Sequence, residues 1–247
     1  MSKRGAELLQ AMLLRNHRLA EQTASEHFPL SSFELLQRWQ LDRLTITFED
    51  LYRQEGYRHA VEFFVSDLYG GLDFRQRDRE MDRVAPIMIR FLPEKALVAL
   101  AEAFELQALS LEYDVAMAEY MAQEGIEELG MAEYCRVYLA CSDRAGRERQ
   151  IELIRKLGRD LKPLVNRPVI NALLRMLRGP AHAAGFGKLQ EVLENGLASF
   201  RELKDPDHFV DTIFEREWTA MERLFAGETD PFRLLESGSR NALRGSG

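Results

Sequence analysis

The sequence predicts an all-α fold, a single helical bundle of about eight to ten helices with a long central helix. Three observations carry that expectation. Apolar residues recur at helical spacing along most of the 247 residues, and strand-like alternation is nearly absent. Eight prolines and sixteen glycines punctuate the chain, mostly where helices should stop. One stretch, about residues 93–123, is apolar on two sides, as a helix packed on two sides must be.

The elements follow in order. A first helix covers about residues 4–26 and stops before Phe28-Pro29. Ser31 or Ser32 can cap a second, which runs to about Gln54. Its residues Phe33, Leu44, Phe48 and Leu51 share one side, and Leu35, Trp39 and Ile46 the other. The third spans residues 57–69 and ends at Gly70-Gly71, since glycine accepts the left-handed conformation after a helix. Asp73 caps the fourth, with Gln76 in capping-box position. Pro93 opens the fifth, the central helix, which stops at Gly125. Its main stripe is Leu97, Leu100, Ala101, Phe104, Ala108, Leu111, Val115 and Ala118; Leu106, Tyr113, Met117 and Tyr120 form the second.

Residues 132–140 make a short helix. Asp143 caps the next, expected to break near Pro163, restart at Pro168 and end at Gly179-Pro180. A helix over about residues 181–203 follows. Asp205 caps the last, with Pro206 at its first position, and it runs to Ala226. Residues 1–226 are read as one helical domain, and the Gly/Ser-rich residues 227–247 as a flexible C-terminal tail.

Composition narrows the function classes. A hydrophobic fraction of 46% with 30% charged residues is ordinary for a soluble globular protein. No apolar run approaches the roughly 20 residues needed to cross a bilayer, and the N-terminus lacks the apolar centre of a secretory signal, so a cytoplasmic protein is expected. Cys135 and Cys141, six apart on one helix, face different ways and suit neither a disulfide nor a metal pair. The net charge of −7 is uneven: residues 143–178 hold ten Lys or Arg against four Asp or Glu, a local +6 that leaves −13 elsewhere.

Four groups of residues could carry chemistry. Asp78 lies on an apolar stripe with Phe74, Met81, Ala85, Met88 and Leu92, where an ionised carboxylate needs a charged partner; Arg43 and Arg58 are the candidates. A buried salt bridge and a ligand-anchoring carboxylate or general base are the competing roles. Pro86 should kink that helix at Asp82. Phe63 lies off the third helix's core stripe, as an aromatic wedged between helices would. His182 heads the stripe His182, Phe186, Leu189, Leu193 and should face inward as a neutral imidazole, a core residue or a haem ligand. Arg144, Arg155, Arg159 and Lys162 form a basic stripe that can meet an acidic partner or an acidic helix of the same chain; with no aromatic residue in 143–178, nucleic-acid binding is disfavoured. No metal-ligand set and no nucleophile motif is found.

The run Phe63-Phe64-Val65-Ser66-Asp67-Leu68-Tyr69-Gly70 resembles the FFLEELYG-type motif of a bacterial family of uncharacterised helical proteins. Arg77-Asp78, Arg83, Pro86, Leu92-Pro93, Arg149-Gln150 and Arg178-Gly179-Pro180 are similar to that family's pattern, and the resemblance covers roughly residues 36–225. Val65 and Ser66 depart from its Leu-Glu. The resemblance implies a helical fold unit and supplies no activity.

The sequence therefore leads to a non-enzymatic cytoplasmic helical protein that acts through protein–protein contacts, with a protein partner or by self-association, without membrane or cofactor. The alternative is a helical haem- or small-ligand-binding protein with its pocket near His182 or Asp78. An enzyme with Asp78 as base is the third reading.

Overall fold

A computed structural model describes residues 4–65, 92–165 and 187–233, together with Pro86, Ile89, Arg90, Pro168, Ala172 and Arg175. Within helices the side chains at 164, 187–190, 192 and 193 are not described. Among the described residues every regular element is helical. They are α1 (Arg4–Thr23), α2 (Leu30–Thr47), α3 (Glu49–Tyr52), α4 (Glu55–Glu62), α5 (Glu94–Gln123), α6 (Met131–Cys141), α7 (Arg144–Val165), α8 (Gly187–Arg201) and α9 (Pro206–Phe225).

The 30-residue helix α5 is the central one: α1, α2, α6 and α7 all pack on it. Its two apolar stripes explain this. Leu97, Ala101 and Phe104 meet Leu9 and Leu13 of α1, whereas Ala108, Leu111, Val115 and Ala118 enclose Leu19 and Phe33. From the other stripe, Met117 joins Met121, Leu36 of α2 and Tyr134, Val137 and Tyr138 of α6 in a third cluster. A fourth cluster holds Leu44, Phe48, Leu51, Val61 and Phe64 against Val210 and Ile213 of α9. Asn16, buried in α1, donates to the Phe104 carbonyl of α5 at 2.9 Å and so pins the register of that pair.

Helix ends follow side-chain chemistry in most places. Asp205 accepts from the His208 amide at 3.0 Å with Pro206 at the first helical position, and Asp143 accepts from the Gly146 amide at 2.7 Å. Gly125 and Gly227 take positive φ after α5 and α9. The start of α2 departs from expectation: the helix begins at Leu30, so Ser31 and Ser32 lie inside it and no side chain caps it. The Pro29 carbonyl takes the first amide, that of Phe33. The same helix stops at Thr47 instead of running to Gln54. Thr45 and Thr47 bond back to the Leu41 and Arg43 carbonyls, and Arg216 of α9 takes the Thr47 carbonyl at 2.6 Å, so a tertiary donor stabilises the interruption at Phe48.

Pro163 also departs from expectation. α7 runs through it to Val165, because the missing N–H forfeits only the bond to the Arg159 carbonyl near the helix end. After α4 the chain widens into a π-turn at residues 63–65. There Phe63 sits against Gly196 of α8, where an added Cβ would come 2.6 Å from its ring; only glycine admits the wedge. The expectations for residues 66–85, including Gly70-Gly71 and Asp73, and for residues 176–186 lie outside the described residues. Residues 227–233, assigned by the sequence to the flexible tail, instead fold back over α9, held by Arg223, whose Nη1 donates to the Arg233 carbonyl at 2.6 Å.

No described helix is long and apolar enough to cross a membrane.

Candidate functional site

Polar side chains interrupt the apolar stripes of five elements at one level of the bundle. On α2, Gln40 stands between Leu36 and Leu44, and Arg43 lies beside it. On α5, Ser110 and Asp114 lie between the two apolar stripes. α6 contributes Tyr134 and Tyr138, α7 contributes Arg147 and Gln150, and α9 contributes Glu217. Together with Ile151, Met221, Leu224 and Phe232 they wall a cavity of about 50 Å³. At ~10–15 Å³ per water, that is room for about three to five waters or one small molecule.

The charges in the wall are arranged unevenly. Arg43 donates to Glu217 at 2.5 Å, with both side chains only 11% exposed, and its guanidinium lies 4.7 Å from the centre of the Phe232 ring. That pair is internally neutral. Asp114 accepts from Gln40 at 3.0 Å. It borders the cavity, so part of it stays accessible, but its carboxyl is surrounded by protein. Burial raises its pKa from the ordinary carboxylate value to about 6, against the opposing pull of Gln40 and of Arg147.

Arg147, 6% exposed, is held between two aromatic faces, with its guanidinium 3.8 Å from the centre of Tyr113 and 4.4 Å from that of Tyr138. Its hydrogen bonds go to uncharged acceptors only: Ser142 Oγ at 3.0 Å, Gln150 Oε1 at 3.0 Å and Met117 Sδ at 3.5 Å. Gln150 passes the chain on to Ser110 Oγ at 2.8 Å, and Ser110 bonds the Leu106 carbonyl. Behind Arg147, Tyr113 donates to Asp143 at 2.8 Å; burial together with that bond pushes the phenol up to about 12. Burial likewise raises Tyr134 and Tyr138, so both remain neutral phenols.

The residue that completes the wall comes from the C-terminal strap. Phe232 packs 5.9 Å from Trp39 and 5.8 Å from Tyr134, centre to centre, and Trp39 in turn stacks on Tyr134 at 3.9 Å.

The residues singled out from the sequence are distributed otherwise. Arg43 is in this wall. Arg58 is exposed and lies 5.7 Å from the Tyr52 ring, with its Nε donating to the Tyr52 carbonyl at 3.4 Å. Asp78 and His182 lie outside the described residues. The basic stripe on α7 faces the acidic side of α9: Arg144 pairs with Glu222 at 2.7 Å, Arg155 and Arg159 share Asp211 at 3.2 and 3.0 Å, and Lys162 pairs with Asp207. On its other flank α7 reaches α5, through Arg149 to Glu105 at 2.8 Å and Lys156 to Glu102 at 2.5 Å. Six of the ten basic residues in 143–178 thus meet acidic residues of α5 and α9.

Sequence reasoning passed over Gln40, Asp114, Arg147, Glu217 and Phe232, and named Gln150 only within the Arg149-Gln150 of the family pattern. A signal was present for two of them. Gln40 interrupts the spacing Leu36-Gln40-Leu44, and Asp114 stands between two stripes of a helix already read as covered on both sides. Among the described residues no three or more His, Cys, Asp or Glu side chains cluster as a metal site.

Neither the curated proteins nor the solved structures include a match to the chain. Residues 19–231 match the family model described as Domain of unknown function (DUF8198), and the chain belongs to that family.

Proposed function

We propose that this protein is a binding protein for a small polar molecule, held in the cavity among α2, α5, α6, α7 and α9. One observation carries the reading: polar groups from five helices converge on a cavity of about 50 Å³, whereas Asn16, Thr47 and Ser199, also buried, stand singly elsewhere. Desolvating that many polar groups is costly, and burying them is a poor way to stabilise a helical core. A few placed polar groups in an aromatic-lined hollow are what small-molecule recognition requires.

The size of the hollow limits the occupant to a few non-hydrogen atoms. A porphyrin does not fit there and no histidine is among the described residues of the wall, so the haem alternative, which rested on His182, gains nothing from this cavity. The reading through a partner-facing basic stripe is less well supported, since that stripe directs its charges to α9.

Native mass spectrometry of the gently desolvated protein, beside the denatured chain, tests the proposal. A retained mass increment beyond water, lost in a cavity-filling Ser110→Leu variant that still folds by circular dichroism, is the expected result. A clean apo mass, with no small polar molecule in a fragment library shifting amide resonances at Ser110, Asp114 or Gln150, would sink it.

A further inference from the structure

The charges in the wall specify more than the existence of a site. We infer that the cavity, if the ligand-binding reading holds, takes a small organic monoanion, a carboxylate of a few non-hydrogen atoms, anchored on Arg147 and bound together with a proton.

The anchor follows from counting donors. A guanidinium carries five N–H bonds. Those of Arg147 that are used go to Ser142, to Gln150 and to the thioether of Met117, the last a weak acceptor. One hydrogen on each terminal nitrogen is left without an acceptor among the described residues, and a carboxylate can accept from two such donors at once. Among the described residues no carboxylate lies within ion-pair distance of this guanidinium, although it is 6% exposed. The near-complete enclosure leaves its charge largely unscreened by solvent. Arg147 also occupies the first turn of α7, where the helix dipole adds positive potential, part of which the capping carboxylate of Asp143 already meets.

The other charged groups select the sign. Glu217 from α9 is neutralised by Arg43 from α2, so that pair offers neither charge to a ligand. From α6, Tyr134 and Tyr138 are neutral phenols. Gln40 of α2 and Ser110 of α5 are uncharged, and the Ser110 hydroxyl already donates to the Leu106 carbonyl. Among the described wall residues only Asp114 opposes an anion. Asp143, outside the wall at the start of α7, stays ionised and offsets part of the Arg147 charge at a distance, without accepting its hydrogens. When Asp114 carries a proton the wall itself presents a net positive charge; when it ionises, that charge is cancelled and an incoming anion meets repulsion. The burial that raises its pKa makes the proton available near neutrality. Uptake of the anion therefore draws a proton onto Asp114.

The test titrates full-length protein with sodium acetate, acetamide and methylammonium chloride at fixed ionic strength, following amide resonances at about pH 5.5 and about pH 7.5. With so few atoms, acetate can bind no tighter than about 10–100 µM. Expected is saturable acetate binding that shifts Arg147, Gln150 and Ser110. It should weaken by up to about tenfold per pH unit above the Asp114 transition, with no saturable effect of the other two compounds. The isosteric Asp114→Asn variant should bind acetate with that pH dependence removed, and Arg147→Gln, if folded, should not bind it. Saturation by acetamide or methylammonium but not acetate overturns the anion assignment and leaves the pocket standing. Acetate binding that is unchanged by pH, or equally pH-dependent in Asp114→Asn, overturns the proton coupling. Failure of all three compounds to perturb the cavity overturns the inference, and the fragment library then decides the underlying reading separately.

Discussion

Asp114 is a carboxylate whose surroundings make folding depend on pH. Its carboxyl titrates near 6 in the folded chain and near 3.8 when unfolded, so the folded state holds the proton more tightly. Stability falls as pH rises between those two values, by about 3 kcal/mol in total. Asp50 and Asp143 have the opposite sign: Arg216 lowers the first, the Gly146 amide and Tyr113 lower the second, and their stabilisation is lost as the solution is acidified. Urea unfolding of wild type and Asp114→Asn across about pH 4 to 7 separates the contributions. The variant should gain on wild type as pH rises; parallel profiles would mean that Asp114 is not desolvated. The Arg43–Glu217 pair gives a second prediction. Glu217→Gln leaves a buried guanidinium without its counter-charge and should cost about 3–5 kcal/mol, whereas Arg43→Met with Glu217→Leu should recover most of it. Of the wall, Arg43 was singled out beforehand. Spacing could also have marked Gln40, between Leu36 and Leu44, and Asp114, between the two stripes of α5, but Glu217 and Arg147 sit in charged runs whose inward member no periodicity marks.

Among the elements, α7 and α9 are joined by two kinds of contact with different strengths. Arg155 and Arg159 share Asp211, all three partly exposed, so Asp211→Asn should cost no more than about 1 kcal/mol, and less in molar salt. Beneath them Gly158 meets Val210, where an added Cβ would lie 2.4 Å from a Val210 methyl carbon. Gly158→Val should therefore cost clearly more, about 1–3 kcal/mol or beyond, with no salt dependence. Thermal unfolding of both variants at low and high salt distinguishes packing from charge as the force joining the helices. Caps were the most legible feature at this scale. Asp143, Asp205, Pro206, Gly125 and Gly227 act through backbone chemistry within three or four residues, and each stands where expected. The end of α2 was not legible, because Arg216, which donates to the Thr47 carbonyl, is 169 residues away.

Across the whole molecule, the C-terminal strap closes the cavity through one ring. Phe232→Ala removes its contacts to Trp39, Tyr134 and Arg43 and should cost about 1–3 kcal/mol, while amide exchange at Tyr134 and Gln40 accelerates. Unchanged exchange would show that the wall is complete without the strap. Composition alone marks residues 227–247 as a tail, since Gly, Ser and charge dominate it. One aromatic within a polar run becomes a docking anchor only once Trp39, Tyr134 and Arg43 are brought together in space by the packing of α2 and α6 beside α9. The same physical divide runs through the protein. Helix content, most caps and the two-sided central helix α5 are local or periodic properties, so the sequence by itself determined them. Which charges turn inward, the pairing of α7 with α9 and the hollow around Asp114 and Arg147 depend on contacts between distant segments, and only the tertiary structure decided them.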